Sequence, residues 1–374
     1  MSLLDRYLAR EILLPFAAGL LFLIQLLLAT QLLAQANVLF GSGVSLLDVG
    51  RVIADLFPYF MGFVLPIAFL LGVVLGVSRL AADREVVALA AAGLSPVRLV
   101  RVPLLLAVLV GAFGVWLAVE VEPAGMRAAT QAMNEIVKRN LSSDLHAGVF
   151  YEQIPGYTLY AERAREGDWR NVLIYDASSP EAPVLALAQR GKLAPAVGGE
   201  DLQLVLQDGE VHRDQSERDT YAAATFGRAS LVLGLGRALS DRNNVSRPSR
   251  EQSYAQLQAG ISAAYAERTP RGDEQGRRLE GYLHRKIASA LAVFAFALLG
   301  VPLAASPRVG RSFGIGATFL LMVAHYILLR SGEVMAQRGQ LPAWLSLELP
   351  NLLLGGVGLV LLGVLAWRGT GAVR

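Results

Sequence analysis

The chain has 374 residues, 54% of them hydrophobic and 17% charged, where soluble globular proteins run at about 45–50% and 25%; that balance excludes an ordinary cytosolic enzyme. It has no cysteine, which excludes a disulfide scaffold, a thiolate metal site and a cysteine nucleophile. The formal charge is +3, with no basic run and no interleaving of aromatic and basic residues, so no nucleic acid is expected as a partner.

The charge is unevenly spread. Of the 34 basic and 31 acidic residues, 43 fall between Glu122 and Lys286, so a polar module interrupts an apolar one. A hydrocarbon core about 30 Å thick needs about 20 apolar residues in helix, because lipid offers no partner to backbone N–H and C=O groups. Six windows without Asp, Glu, Lys or Arg meet that demand: Ile12 to Ala34, Leu56 to Ser78, Val102 to Val119, Ile287 to Pro307, Ser312 to Leu329 and Leu349 to Trp367. The first is longer than the 7–15 apolar residues of a signal peptide and ends in Gln31, Gln35 and Asn37 without a small-x-small site, so it reads as a retained helix. With the N-terminus inside, inner segments hold Arg6, Arg10, Arg79, Arg84, Arg98, Arg101, Arg308, Arg311, Arg368 and Arg374, whereas the two short outer loops hold Arg51, Arg330 and Arg338. That asymmetry predicts both termini on the cytoplasmic side.

The inner loop after the second window, Arg79 to Arg98, carries the most local information. Ala81 to Ala92 is alanine-rich and predicts a helix, Gly93 can take the left-handed position that ends it, and Ser95 with Pro96 reads as the cap and first turn of the next helix. Leu80, Val87, Leu94 and the small alanines suit a groove on a partner, with Glu85 to register the contact; the alternative is an interfacial helix that only turns the chain. After the third window, Pro123 predicts a break, followed by an outward helix over Glu122 to about Asn140. Seven short segments then read as strands: His146 to Gln153, Tyr157 to Arg163, Asn171 to Asp176, Val184 to Gln189, Leu202 to Gln207, Glu210 to Arg213 and Thr220 to Leu233. The Asp208-Gly209 pair between two of them predicts a hairpin turn, and the whole predicts a sandwich or open jelly roll. From Ser249 the pattern is helical again, with Tyr254, Leu257, Ile261, Ala264 and Tyr265 on one face, until Thr269-Pro270 breaks it before the fourth window.

No phosphate loop, His-Glu-x-x-His or dinucleotide fingerprint is present, so this chain is expected to bind no cofactor of its own. His325 is the only imidazole in a predicted span; with no carboxylate seen beside it, it reads as a packing residue with hydrogen-bonded ring nitrogens. The basic residues Arg127, Lys138, Arg139, Arg277, Arg278, Arg285 and Lys286 flank the outer ends of the third and fourth spans. There they could pair with lipid phosphates or act as plain interfacial anchors.

These residues resemble the lipopolysaccharide-export permeases, the LptF/LptG (YjgP/YjgQ) family. The likeness covers nearly the whole chain. It is carried by DRYLAREILLPF from Asp5 to Phe16, LPIAF from Leu65, SRLAADREVVALAAAGLSP from Ser78 to Pro96, HRKIA from His284, ALLGVPL from Ala297 and LPNLL from Leu349. The resemblance implies an α-helical membrane bundle of six transmembrane helices with an inserted periplasmic β-jellyroll or sandwich domain. Its expected division is residues 1–121, with a coupling helix at about 80–94, then the β domain with flanking helices at 122–275, and the last three spans at 276–374.

It further implies a non-catalytic permease subunit of an ABC transporter in the bacterial inner membrane, extracting lipopolysaccharide from the outer leaflet. Its implied partners are a homologous permease subunit, a cytoplasmic ATPase dimer that binds the ATP and Mg, and a periplasmic bridge protein of the jellyroll, LptC/LptA-like type. By the same resemblance Arg84, Glu85, Leu89 and Gly93 couple to the ATPase, and Arg127, Lys138, Arg139, Arg285 and Lys286 receive lipid phosphates. Where members often carry Lys or Arg near the outer end of the first span, this chain has Gln31, Gln35 and Asn37. The main alternative is a membrane-anchored scaffold or receptor whose β domain binds a periplasmic partner without transport. A secondary transporter and an intramembrane enzyme are disfavoured by the lack of charged or nucleophilic sets in the windows.

Overall fold

The computed structural model describes residues 3–34, 45–143, 148–151, 156–165, 168–177, 183–195, 202–215, 220–233, 248–305 and 311–368. The chain divides into two compact units, one of residues 1–29, 56–125 and 252–374, the other of residues 30–55 and 126–251.

Six helices are long and apolar enough to cross a membrane, as the six windows predicted, and each is longer than its window. α1 (Leu3–Ala34) and α2 (Leu46–Ala82) cross with their backbones almost touching. A Cβ added at Gly72 would stand 2.9 Å from the Ile12 carbonyl oxygen, and one at Gly76 2.7 Å from that of Glu11. Glycine therefore sets the helix spacing here, because without an aqueous driving force association depends on close packing. Leu8 and Ile12 of α1 enter a core with Phe69, Val73, Val77 and Leu80 of α2.

After α2 come a short helix α3 (Glu85–Ala91), a 3₁₀ turn (Pro96–Val100) and α4 (Arg101–Trp116). α4 does not break at Pro123. It passes through a π-helical turn (Leu117–Val121) into α5 (Glu122–Ser143) without leaving the helical path. The cause is local. The Glu122 N–H reaches back five residues to the Leu117 carbonyl, and Pro123 has no N–H, so the Ala118 carbonyl loses both of the backbone donors it could have had.

The remaining membrane helices are α8 (Pro270–Ala304), α9 (Arg311–Gln337) and α10 (Ala343–Arg368), preceded by a single turn α6 (Pro248–Glu251) and α7 (Tyr254–Ala266). The break expected at Thr269-Pro270 is present: Thr269 caps α8 through the Gly272 N–H at 3.0 Å, with Pro270 in the first turn. α2 and α8 are the buried centre of the bundle, at 67% of each apolar window, while α1 and α9 bury 17% and 11%. The two outer helices thus leave wide apolar faces, including Leu14, Leu21 and Phe22 on α1 and Phe319, Leu320 and Ile327 on α9.

The second unit holds a five-stranded antiparallel meander: β1 (Tyr157–Arg165), β2 (Asp168–Asp176), β3 (Val184–Pro195), β4 (Leu202–Gln215) and β5 (Thr220–Leu233), paired in that order. The expected segments from Leu202 and Glu210 are one strand, so Asp208-Gly209 is not a hairpin turn. Part of the expected His146 to Gln153 strand lies outside the described residues; within it Tyr151 bridges Leu159.

A crease crosses the whole sheet. The pairing passes over Glu162, Asn171, Gln189, Asp208 and Gly227, one residue per strand, and resumes in unchanged register on the other side. Asn171 and Asp208 sit at φ 49° and 54°, and the Asn171 amide donates to the Glu162 carboxylate. Because each strand carries one extra residue, the alternation of faces slips by one. Inward-packed positions run Trp169 then Val172, Ala188 then Gly191, Leu206 then Gly209, and Phe226 then Ala229, three residues apart instead of two. Gly209 is required at this line, since a Cβ would lie 2.2 Å from the Leu187 carbonyl oxygen. The cluster on this face includes Leu159, Trp169, Ile174 and Leu204.

Candidate functional site

The loop between α2 and α4 is built as its residue types predict, with one difference. The helix expected over Ala81–Ala92 is divided at Asp83-Arg84, where Arg84 adopts φ 57° and becomes the N-cap of α3. α2 therefore claims Ala81 and Ala82, and α3 has seven residues. Its end is a Schellman motif: Gly93 at φ 83° donates its N–H to the Ala90 carbonyl, and Leu94 donates to that of Leu89, each at 3.0 Å. Ser95 caps the 3₁₀ turn by position, with the Arg98 N–H on its carbonyl at 2.9 Å.

α3 is held on the bundle from below and from one side. Val86 is buried and Leu89 packs against the same core as Leu8, Ile12 and Leu80. The Tyr7 hydroxyl donates to Glu85 Oε1 at 3.0 Å, and Arg79 pairs with Glu11 at 2.8 Å and Asp83 at 3.9 Å. No local pattern signals Tyr7, because the pair spans 78 positions. Of the expected coupling residues, Glu85 and Leu89 are thus half-buried and tied to α1 and the core. Arg84 and Gly93 are exposed, and Val87 beside them is a solvent-facing apolar side chain.

Of the five expected phosphate-binding residues, Arg127, Arg285 and Lys286 have described side chains. Arg127, half-buried on α5, donates from Nη1 to the Glu251 carbonyl oxygen at 2.5 Å, while the Glu251 carboxylate accepts from Thr130 at 2.8 Å. Lys138 and Arg139 lie on α5, with side chains outside the described set. Arg285, at 33% side-chain exposure, faces Glu333 at 3.6 Å and stacks over Tyr282; Glu333 also accepts from Arg330 at 2.5 Å.

Lys286 has another task. Its side chain is 7% exposed and that of Glu122 8%; the ammonium lies 3.1 Å from the Glu122 carboxylate and donates at 3.2 Å to the Ala118 carbonyl that the π turn strands. Tyr282 flanks it at 5.1 Å. This ion pair completes the backbone hydrogen bonding of the third span and gives the ammonium two partners inside the protein.

A second polar knot lies among α8, α9 and α10. His325 Nε2 meets Asn351 Oδ1 at 3.1 Å, and the Asn351 amide donates to the Ala288 carbonyl at 2.8 Å and Glu348 at 2.7 Å. His325 packs as expected, edge-on to Phe296. Glu348 was hidden because it precedes the sixth apolar window by one residue, whereas α10 begins at Ala343.

The sheet carries an apolar recess of about 280 Å3, lined by Ile174, Val184, Ala186, Leu206, Phe226 and Leu231 among others. A shallower trough of about 600 Å3 follows the crease past Tyr160, Asn171, Gln189, Asp208 and Glu210. Among the described residues no His, Asp and Glu group could hold a metal ion.

Comparison with curated proteins finds no match. The family model for the lipopolysaccharide export system permease LptF/LptG matches residues 6–363. That match spans the docked loop helix, the six membrane-length helices and the inserted sheet together, and the chain belongs to the LptF/LptG family of lipopolysaccharide export permeases.

Proposed function

We propose that this chain is one of two paired permease subunits of an inner-membrane ABC transporter, drawing lipopolysaccharide from the outer leaflet and handing it to its β domain on the periplasmic side. Lifting a multi-acyl lipid into water costs on the order of 0.8 kcal/mol per methylene, so energy enters from an ATPase dimer at the inner face. The observation that carries the reading is the attachment of α3: Tyr7–Glu85 bonds it to α1, and Arg79–Glu11 bonds the end of α2 just before it to the same helix. A displacement of the loop therefore pulls on the span with one of the widest lipid-facing surfaces in the bundle. α1 and α9 offer the apolar faces for the second subunit and for acyl chains, and the recess on the sheet accepts an aliphatic chain. The β domain passes the lipid to a jellyroll bridge protein.

In a reconstituted complex with its ATPase and partner permease, Glu85→Ala leaves folding intact, since Glu85 is only half-buried, and lowers both lipid-stimulated ATP hydrolysis and export. Wild-type export by that variant defeats the assignment. A scaffold without transport would instead show no ATP-dependent lipid release from either protein.

A further inference from the structure

A groove of about 480 Å3 lies where the start of α4 meets the last turns of α8 and α10, at the loop's end of the bundle. Its walls are almost wholly apolar: Val97, Leu104, Leu105, Leu298 and Leu359, with one charged residue, Arg101. Val97, Leu105 and Leu359 are 37%, 45% and 58% exposed, so the groove opens to the outside of the bundle. Arg98 stands three residues before Arg101, across the 3₁₀ turn, where positions three apart eclipse. Both arginines are exposed, and neither has an acidic partner among the described residues. The start of α4 adds its own partial positive charge.

We propose that this groove is a phospholipid site. One acyl chain of an anionic glycerophospholipid, from the leaflet level with the loop, lies along Leu104, Leu105 and Leu359, and its phosphate is taken by Arg101 and Arg98. The chemistry of the two ends selects this occupant. The walls offer no hydrogen-bond partner, so the buried portion is aliphatic. The mouth presents guanidinium groups, which bind phosphate in a bidentate manner. A net negative headgroup is favoured over a zwitterionic one because it adds no cation beside the arginines. A partner's transmembrane helix would fill the apolar part and leave both guanidinium groups unmatched. The site is separate from the lipopolysaccharide route proposed above.

The test uses the full-length chain in nanodiscs of equal phosphatidylglycerol and phosphatidylcholine, released and read by native mass spectrometry. Wild type retains phosphatidylglycerol over phosphatidylcholine by about tenfold, a preference of about 1.4 kcal/mol. The Arg98→Ala, Arg101→Ala double variant retains one phosphatidylglycerol fewer. Leu105→Trp, which fills the groove and keeps the arginines, also loses that lipid. Arg101→Lys, which keeps the charge without the fork, falls between. Added inorganic phosphate leaves the retained lipid in place. The proposal is overturned by an unchanged lipid count in the double variant, by displacement of the lipid with inorganic phosphate, or by Leu105→Trp expelling a co-purified chain while lipid retention stays constant.

Discussion

Removing the Lys286 ammonium is the sharpest test of how the third span carries its π turn. At 3.1 Å and an effective dielectric of about 20, the Lys286–Glu122 attraction is about 5 kcal/mol. Most of that is offset by taking two ions out of water, so the net value of the pair against an apolar pair is small. Truncating one partner is different. Lys286→Met deprives a carboxylate, on a side chain 8% exposed, of its cation and the Ala118 carbonyl of its donor. The expected loss is about 3–5 kcal/mol, seen as a fall of several degrees in the thermal midpoint of the detergent-solubilised protein.

The Glu122→Met, Lys286→Met double variant should recover most of it, short by the roughly 1–3 kcal/mol of the carbonyl still left bare. Adding Pro123→Ala restores an N–H, lets the π turn anneal to α-helix and returns Ala118 to backbone bonding, so the triple variant should be at least as stable as the double. A single variant no less stable than the double refutes the buried-pair argument, and a Pro123→Ala change without effect refutes the π-turn argument. A stable double variant with abolished export would assign Lys286 a direct lipid contact.

At the crease, Gly209→Ala brings a Cβ within 2.2 Å of a carbonyl oxygen and should cost about 3 kcal/mol or more, whereas Asp208→Gly relieves φ 54° and should be neutral to stabilising by about 1 kcal/mol; limited proteolysis of the β domain in the intact protein separates the two. Gly332→Ala drives a Cβ to 2.1 Å from the Ser346 carbonyl oxygen and should split α9 from α10, read as a lowered thermal midpoint with unchanged helicity; an unaltered midpoint contradicts the close crossing.

Burial and the hydrogen bond to Glu280 push the Tyr265 hydroxyl from 10.0 up to about 12. The raised value means the neutral phenol is favoured in the folded state. Its contribution is complete below pH 10 and is lost as pH rises from 10 to about 12. An ultraviolet titration of tyrosinate should show one tyrosine ionising near 12 in the folded protein, missing in Tyr265→Phe.

Features that depend on neighbours in sequence were legible. Six apolar runs gave six spans, Gly93 ended α3, and Thr269-Pro270 opened α8, because each is settled within a few residues. Features settled by distant partners were not. Lys286 reads in sequence as an interfacial cation because its Ala118 carbonyl partner lies 168 positions away. Pro123 read as a break because no local rule anticipates a π turn whose stranded carbonyl is satisfied from another helix. Asp208-Gly209 has the residues of a hairpin turn, and only the unbroken pairing of β4 with β3 and β5 overrules that choice. The segments from Leu202 and Glu210 read as two strands because alternation fails at the crease, and alternation is the signal by which strands are recognised.

The aligned extra residues make the five strands interdependent. Deleting the additional position from one strand alone would turn every side chain beyond it to the wrong side while its neighbours kept theirs, so such a deletion is tolerable only if all five occur together. The same condition falls on any further strand laid along β1 or β5: unless it also carries a spare residue level with Glu162 or Gly227, it can match the ladder on one side of the fold line but not on both.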